Sequence, residues 1–197
     1  IKAVAKGKTQ IARDRASDVI DGGCMFLMPG MVEGHCHPSF VGISTNAELG
    51  RIPPETHTIR TVANVKKLLE HGFTSIFEAA SAKPMIGVAV RDAINDGTIP
   101  GPRMRAASPE VTATAGLGDE RRRHIHEESF GLVADGPYEF RKVARECVRD
   151  GVDNMKINIS GDEFVSHARA ETTTLEDDEL AAFVSVAHGY GKMVAAH

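Results

Sequence analysis

From residue 25 onward, short apolar runs alternate with segments whose apolar residues recur at helical spacing, and this rhythm limits the folds open to the chain. Met25–Met28 leads through Pro29-Gly30 into Met31-Val32-Glu33-Gly34-His35. Ile59–His71 carries Val62, Val65, Leu68 and Leu69 on one face and stops at Gly72, which reads as a helix. Thr74–Ala79 follows as a strand, Pro84–Asn95 as a helix stopping near Gly97, and Arg103–Ala107 as a strand. Asp135-Gly136-Pro137 opens a helix with proline in its first turn, striped by Phe140, Val143, Ala144, Cys147 and Val148 and ending at Gly151. Met155–Ile159 is a strand. Thr174 with Asp177 has the form of a capping box, starting a helix striped by Leu180, Phe183, Val184 and Ala187 that ends at Gly189. Lys192–Ala196 is the last strand.

Strand–helix–strand repetition implies parallel strands joined by crossover helices. Five strands can be placed, ending near His35, Glu78, Ser108, Ile159 and His197. They belong either to an open doubly wound sheet or to an eight-stranded (β/α)8 barrel, which typically needs about 250 residues. The open sheet lacks a glycine-rich phosphate loop, and Gly7-Lys8-Thr9 has no upstream glycine to make one. The fold class is α/β, and with nothing to favour the open sheet the expectation is a partial (β/α)8 TIM-type barrel. Residues 29–197 supply its first five βα units, with the remaining strands beyond residue 197. Residues 1–28, with strand-like runs Ile1–Val4, Thr9–Ala12 and Asp18–Ile20, are expected to form part of a small β-sandwich subdomain.

Composition narrows the functional classes. A net charge of -4 argues against a nucleic-acid partner. No apolar run approaches the roughly 18 residues that span a membrane. Cys24, Cys36 and Cys147 form no CxxC pair, the pattern of reduced thiols in a cytoplasmic protein.

The residues that carry chemistry lie at expected strand ends. His35-Cys36-His37 puts two imidazoles on one face of a strand, since alternate side chains share a face, and suits two nitrogen ligands on one cation. Two surface histidines are the plain alternative. The position favours the metal, because barrel enzymes place their chemistry at the C-terminal ends of strands. Lys156 lies inside the apolar strand Asn154-Met155-Lys156-Ile157-Asn158-Ile159. Either it snorkels from an edge strand to water, or its charge has been removed or used, by a depressed pKa or covalent change. His197 ends another buried strand on the same rim, where a satisfied core histidine is the alternative. Glu78 ends the second strand and could hold a ligand histidine, contact substrate, or cap a helix. Arg121-Arg122-Arg123-His124-Ile125-His126 follows the third strand in a long loop. It is either a solvated charge run or a lid whose Arg122 and His126 recognise an acidic or polar substrate group.

Together these residues resemble the amidohydrolase superfamily, and more narrowly its imidazolonepropionase- and prolidase-like group. The matching text is Met28-Pro-Gly-Met-Val-Glu-Gly-His-Cys-His37, then Gly72-Phe-Thr-Ser75 and Gly101-Pro-Arg-Met104. It continues with Asp150-Gly-Val-Asp-Asn-Met-Lys-Ile157, Ser160-Gly161 and Gly191-Lys-Met-Val-Ala-Ala-His197. The resemblance implies that His35 and His37 bind the more buried of two divalent metals, zinc first, with cobalt, manganese or iron as alternatives. Lys156 would carry a carbon-dioxide-derived carbamate bridging both metals, and His197 would bind the second. A metal-activated hydroxide would then attack an amide-like C–N bond: peptide, carbamate, thiocarbamate or urea. The implied partner is a small-molecule or dipeptide-like substrate, in a chain able to form a homo-oligomer. Members also carry a histidine after strand six and a catalytic aspartate after strand eight, both beyond residue 197. Many have Gly-Gly where this chain has Gly161-Asp162, which bears on substrate choice. A mononuclear deaminase-like member is the alternative within the superfamily, and a non-catalytic metal-binding domain the alternative outside it.

Overall fold

The computed structural model describes Val4, residues 18–125 and residues 129–197. Its principal strands are parallel and neighbour one another in chain order. β1 (Met31–Cys36) pairs with β2 (Phe73–Glu78), and β2 pairs with β3 (Arg103–Arg105). One residue later the chain re-enters a sheet as β4 (Ala107–Thr112), which pairs with β6 (Asn154–Ile157), and β6 pairs with β7 (Met193–Ala196). A two-residue strand, β5 (Leu132–Val133), pairs with the upper end of β4. β3 and β4 act as one bent barrel strand whose first half serves one sheet and second half the other.

The bend at Ala106 is held by polar groups. Asp153, just before β6, accepts the Ala106 N–H on Oδ2 at 2.8 Å, and Ala106 O accepts the Asp153 N–H at 2.8 Å. Arg91 donates to the same Asp153 Oδ2 at 2.9 Å and to Gly151 O at 2.9 Å. Above the bend, the fully buried Glu78 accepts the Ala107 N–H on Oε2 at 2.9 Å. Arg91 belongs to α3 (Ile86–Asn95), and a Cβ at Gly87 in its first turn would collide with the Glu78 carboxyl. Glycine there lets a carboxyl sit between β2 and the helix.

The helices cover one side of this row. α2 (Pro54–Glu70) and α3 enclose a core of Val65, Ile76, Val90 and Met104. α4 (Gly136–Arg149) and α5 (Asp177–Gly189) enclose a larger one around Val111, Met155, Ile157, Phe140 and Phe183. The last two rings meet edge-on, with centroids 6.4 Å apart. A short α1 (Asn46–Arg51) packs Leu49 with Ala82 and Phe130.

Several sequence expectations need correction. Asp18–Ile20 is not a strand. Residues 18–30 form no strand, and Val19 and Ile20 are 64% and 89% exposed; among the described residues no neighbouring strand takes up their backbone groups. The other expected runs before residue 17 lie outside the described residues. α2 begins at Pro54 rather than Ile59, because proline at the first helical positions is favourable. α3 begins at Ile86, since Met85 adopts a left-handed conformation at φ 69°. The capping box of α5 is Glu176 with Glu179, not Thr174 with Asp177: the Glu176 N–H donates to Glu179 Oε2 at 2.9 Å.

Burial pushes the Glu78 carboxyl up to about 8 from its ordinary 4.5, against the Ala107 and Ser81 hydrogen bonds. The unfolded chain releases this proton near 4.5 and the folded chain keeps it to about 8, so the stabilisation is full below 4.5 and declines as pH rises through that window. In urea unfolding, wild type should lose stability relative to Glu78→Gln between about pH 4.5 and 8. Parallel pH profiles of the two proteins would refute this account of the carboxyl.

Candidate metal centre

Register decides which side chains meet. Residues paired across parallel strands point to the same side, and neighbours along a strand to opposite sides. Glu110, Lys156 and Ala195 are paired across β4, β6 and β7. Met155 and Ile157 are buried in the α4–α5 core, so Lys156 faces away from the helices. On β1 the same alternation separates Cys36 from His35 and His37.

A cavity of about 250 Å³ opens on this inner rim. His35, His37, Lys156 and His197 all line it, together with Glu110, Asp162, Phe40 and Phe164. Three strand ends thus bring together the four residues singled out as metal ligands. The rings of His35 and His37 lie 5.3 Å apart at 79°, and His37 stacks on Phe40 at 4.5 Å. His37 Nδ1 bonds to Ala80 O at 3.1 Å. With the proton on Nδ1, its Nε2 lone pair is available to a cation. At His197 the backbone of Gly161 acts on the ring as well, pulling its pKa upward. Burial lowers the pKa of both rings, helped by the nearby Lys156 charge, so both favour the neutral form that binds metal.

Lys156 is 2% exposed on a strand flanked by β4 and β7, which removes the edge-strand alternative. Burial lowers its pKa, and the Glu110 charge opposes that shift. Glu110, 6% exposed, accepts the Asn158 Nδ2 hydrogen bond on Oε2 at 2.7 Å; the same amide donates to Leu117 O at 2.9 Å. Burial raises the Glu110 pKa, with Asn158 and Lys156 pulling it back. Among the described residues, no three His, Cys, Asp or Glu side chains are grouped closely enough to hold a cation. The donor chemistry suits a metal nonetheless: the backbone-tethered imidazole of His37, the imidazoles of His35 and His197, and a buried amine line one cavity.

The remaining candidates separate. Glu78 pairs in register with Cys36 and shares its side of β2 with Ile76, facing the helices. It is not among the residues that line the cavity, and its carboxyl accepts the Ala107 N–H at the strand junction. Cys36 donates its thiol to Phe77 O at 3.4 Å, and burial with Glu78 pushes it up to about 12. Arg122 lines an adjoining cavity of about 410 Å³ with Ile43 and Glu120; Asn46 and Phe164 border both cavities. His126 lies outside the described residues. Glu110 was missed from sequence; its only signal was a carboxylate among the apolar residues that follow Ser108.

The sequence profile of the amidohydrolase family matches residues 26–197. Among curated proteins, an ochratoxinase of Aspergillus niger is 28% identical over 191 residues, covering 87% of this chain and 38% of that protein. Among solved structures, a prolidase complexed with N-methylphosphonate-L-proline superposes with a TM-score of 0.80 at 26% identity, covering 93% of this chain and 47% of the other. The A. niger ochratoxinase structure gives 0.73 at 25% identity, covering 86% and 42%. The chain spans less than half the length of these relatives, and the similarity covers both the strand row and the rim that carries the histidines. It belongs to the amidohydrolase family.

Proposed function

We propose that this chain forms the metal-binding part of a hydrolase that cleaves an amide-like C–N bond of a small molecule. The observation that carries the reading is the convergence of His35, His37, Lys156 and His197 from three strands on one cavity. His35 and His37 would hold one divalent cation, with zinc the first candidate, and His197 a second. A bound divalent cation supplies Lewis acidity, lowering the pKa of coordinated water towards about 7 and polarising a carbonyl. Ala80 fixes the His37 ring for that task, and Phe40 closes one side of it. Lys156, kept from water, is the amine that would add carbon dioxide and bridge the cations as a carbamate. An ochratoxinase and a prolidase among the relatives support an amide-like bond.

The adjoining cavity gives the substrate a second contact. Ile43 and Phe164 offer an apolar wall and Arg122 a cation, which suits a substituent with an apolar body and an acidic or polar end. No helix among the described residues is long and apolar enough to cross a membrane. The reduced thiols favour a cytoplasmic enzyme, and the exposed helix faces leave room for a homo-oligomer.

One observation favours a second reading. Glu110 stands directly across from Lys156 in register. An ammonium there has a counter-charge, whereas a carbamate would face a like charge unless cations lay between. That pairing favours a mononuclear centre with an unmodified Lys156.

Elemental analysis of the full-length protein separates the two. The binuclear reading expects about two metals per chain, falling to one or none in Lys156→Ala; a single metal untouched by the substitution would establish the mononuclear centre. Carbon-13 bicarbonate should give a carbamate resonance in wild type that is absent in Lys156→Arg, and its absence from metal-loaded wild type would remove the bridge. His37→Ala should lower zinc affinity by more than the roughly 10–100-fold typical of losing an outer partner; unchanged affinity would take His37 out of the ligand set.

A further inference from the structure

His57 is a fully buried histidine without a role in the reading above. It sits in the first turn of α2, and its Nε2 contacts Ser39 O at 2.5 Å. Its Nδ1 is buried without a partner. A buried polar atom left unpaired is costly, and an aliphatic side chain would avoid that cost. What histidine adds is the Nε2–H donor, so the position is explained by what that donor holds.

It holds the turn that follows His37. Two helical turns further along the same inner stripe of α2, Asn64 Nδ2 donates to Pro38 O at 2.9 Å. Ser39, also fully buried, accepts the Ala82 N–H on Oγ at 2.8 Å. The Phe40 N–H closes the turn on His37 O at 3.0 Å. Two consecutive carbonyls are therefore gripped from α2, while the segment that follows β2 grips Ser39 through the Ala82 N–H and the His37 ring through Ala80 O. Further along α2 the stripe changes to Val65 and Leu68, packed on the sheet. The helix is apolar where it meets the sheet and polar where it meets the turn.

We propose that His57 and Asn64 are positioning residues, which clamp the Pro38–Ser39 turn to α2 and so fix the His37 imidazole for metal. The inference rests on the metal-centre reading of the cavity. It makes the helix N-terminal half part of the site's support, although neither residue touches the cavity.

The test compares full-length wild type, His57→Leu, His57→Gln and Asn64→Ala. Glutamine retains a side-chain N–H donor. In metal-free protein, amide exchange at Phe40 and Ala82 should accelerate by about 10-fold or more in His57→Leu, with amides of β6 and α4 unchanged. Zinc affinity should fall about 10–100-fold, the visible bands of the cobalt form should shift, and His57→Gln should restore both. Asn64→Ala should show a smaller effect of the same kind. Uniformly faster exchange with zinc affinity unchanged would make His57 a plain stability residue and overturn the clamp, as would failure of glutamine to restore binding. Wild type that takes up neither zinc nor cobalt would defeat the proposed function instead; the local exchange pattern would then decide whether the turn is clamped at all.

Discussion

An amine buried at the centre of a parallel sheet is the constraint around which the rest is arranged. Taking an ammonium out of water costs several kcal/mol in effective terms even after relaxation, and Lys156 pays this on a strand with neighbours on both sides. Two features relieve it: the carboxylate of Glu110 in register and a cavity on its own side of the sheet; burial itself shifts the group toward the neutral amine. Each follows from the pairing of β4 with β6. A slip of one residue would turn Lys156 into the α4–α5 core and bring Met155 or Ile157 to the cavity. The apolar residues packed beneath β6 therefore protect the site by making that slip prohibitive.

That pairing depends in turn on the bend at Ala106. β3 leaves β2, and the chain re-emerges as β4 aligned with β6, a change of partner that exposes backbone groups at the corner. Asp153 and Glu78 answer them, taking the N–H groups of Ala106 and Ala107. Arg91 pairs with the first carboxylate and holds its pKa down, while burial pushes the second up to about 8. The two acids are thus shifted in opposite directions for one structural purpose: Asp153 is half-buried beside a guanidinium, and Glu78 is enclosed against a glycine that admits it.

Much of this was legible in the chain, and what was not has a common cause. The helices showed themselves because α4 and α5 carry uninterrupted apolar stripes, and the strands because buried parallel strands are apolar runs. His35 and His37 were visible because a period of two is a property of a strand alone. The direction of Glu78 was not legible because the side a strand-end residue faces depends on its partner: its register with Cys36 turns it toward the helices. Glu110 was missed because the third strand was expected to stop near Ser108, whereas pairing with β6 extends it to Thr112. His57 was missed because the apolar stripe of α2 starts only at Val62, so the polar first turns did not read as helix. In each case the missing information is the identity of a neighbouring strand or turn, which local periodicity does not contain.

The two histidines of β1 are not equivalent, and the difference has a structural origin. His37 is half-buried, stacked on Phe40, bonded through Nδ1 to Ala80, and followed by a turn gripped from α2. His35 is exposed, and its backbone N–H is bonded to the adjacent Glu33 side chain at 3.0 Å. A ligand fixed before metal arrives contributes affinity without a large ordering cost, while a freer one must lose rotamer entropy on binding. His37 is then the anchor of the centre and His35 the residue that closes on it. One hydrogen bond on the ring, from Ala80, and four on the turn that follows it, from His57, Asn64, Ala82 and Phe40, are what a chain would build if a single preorganised imidazole set the position of everything else in the cavity.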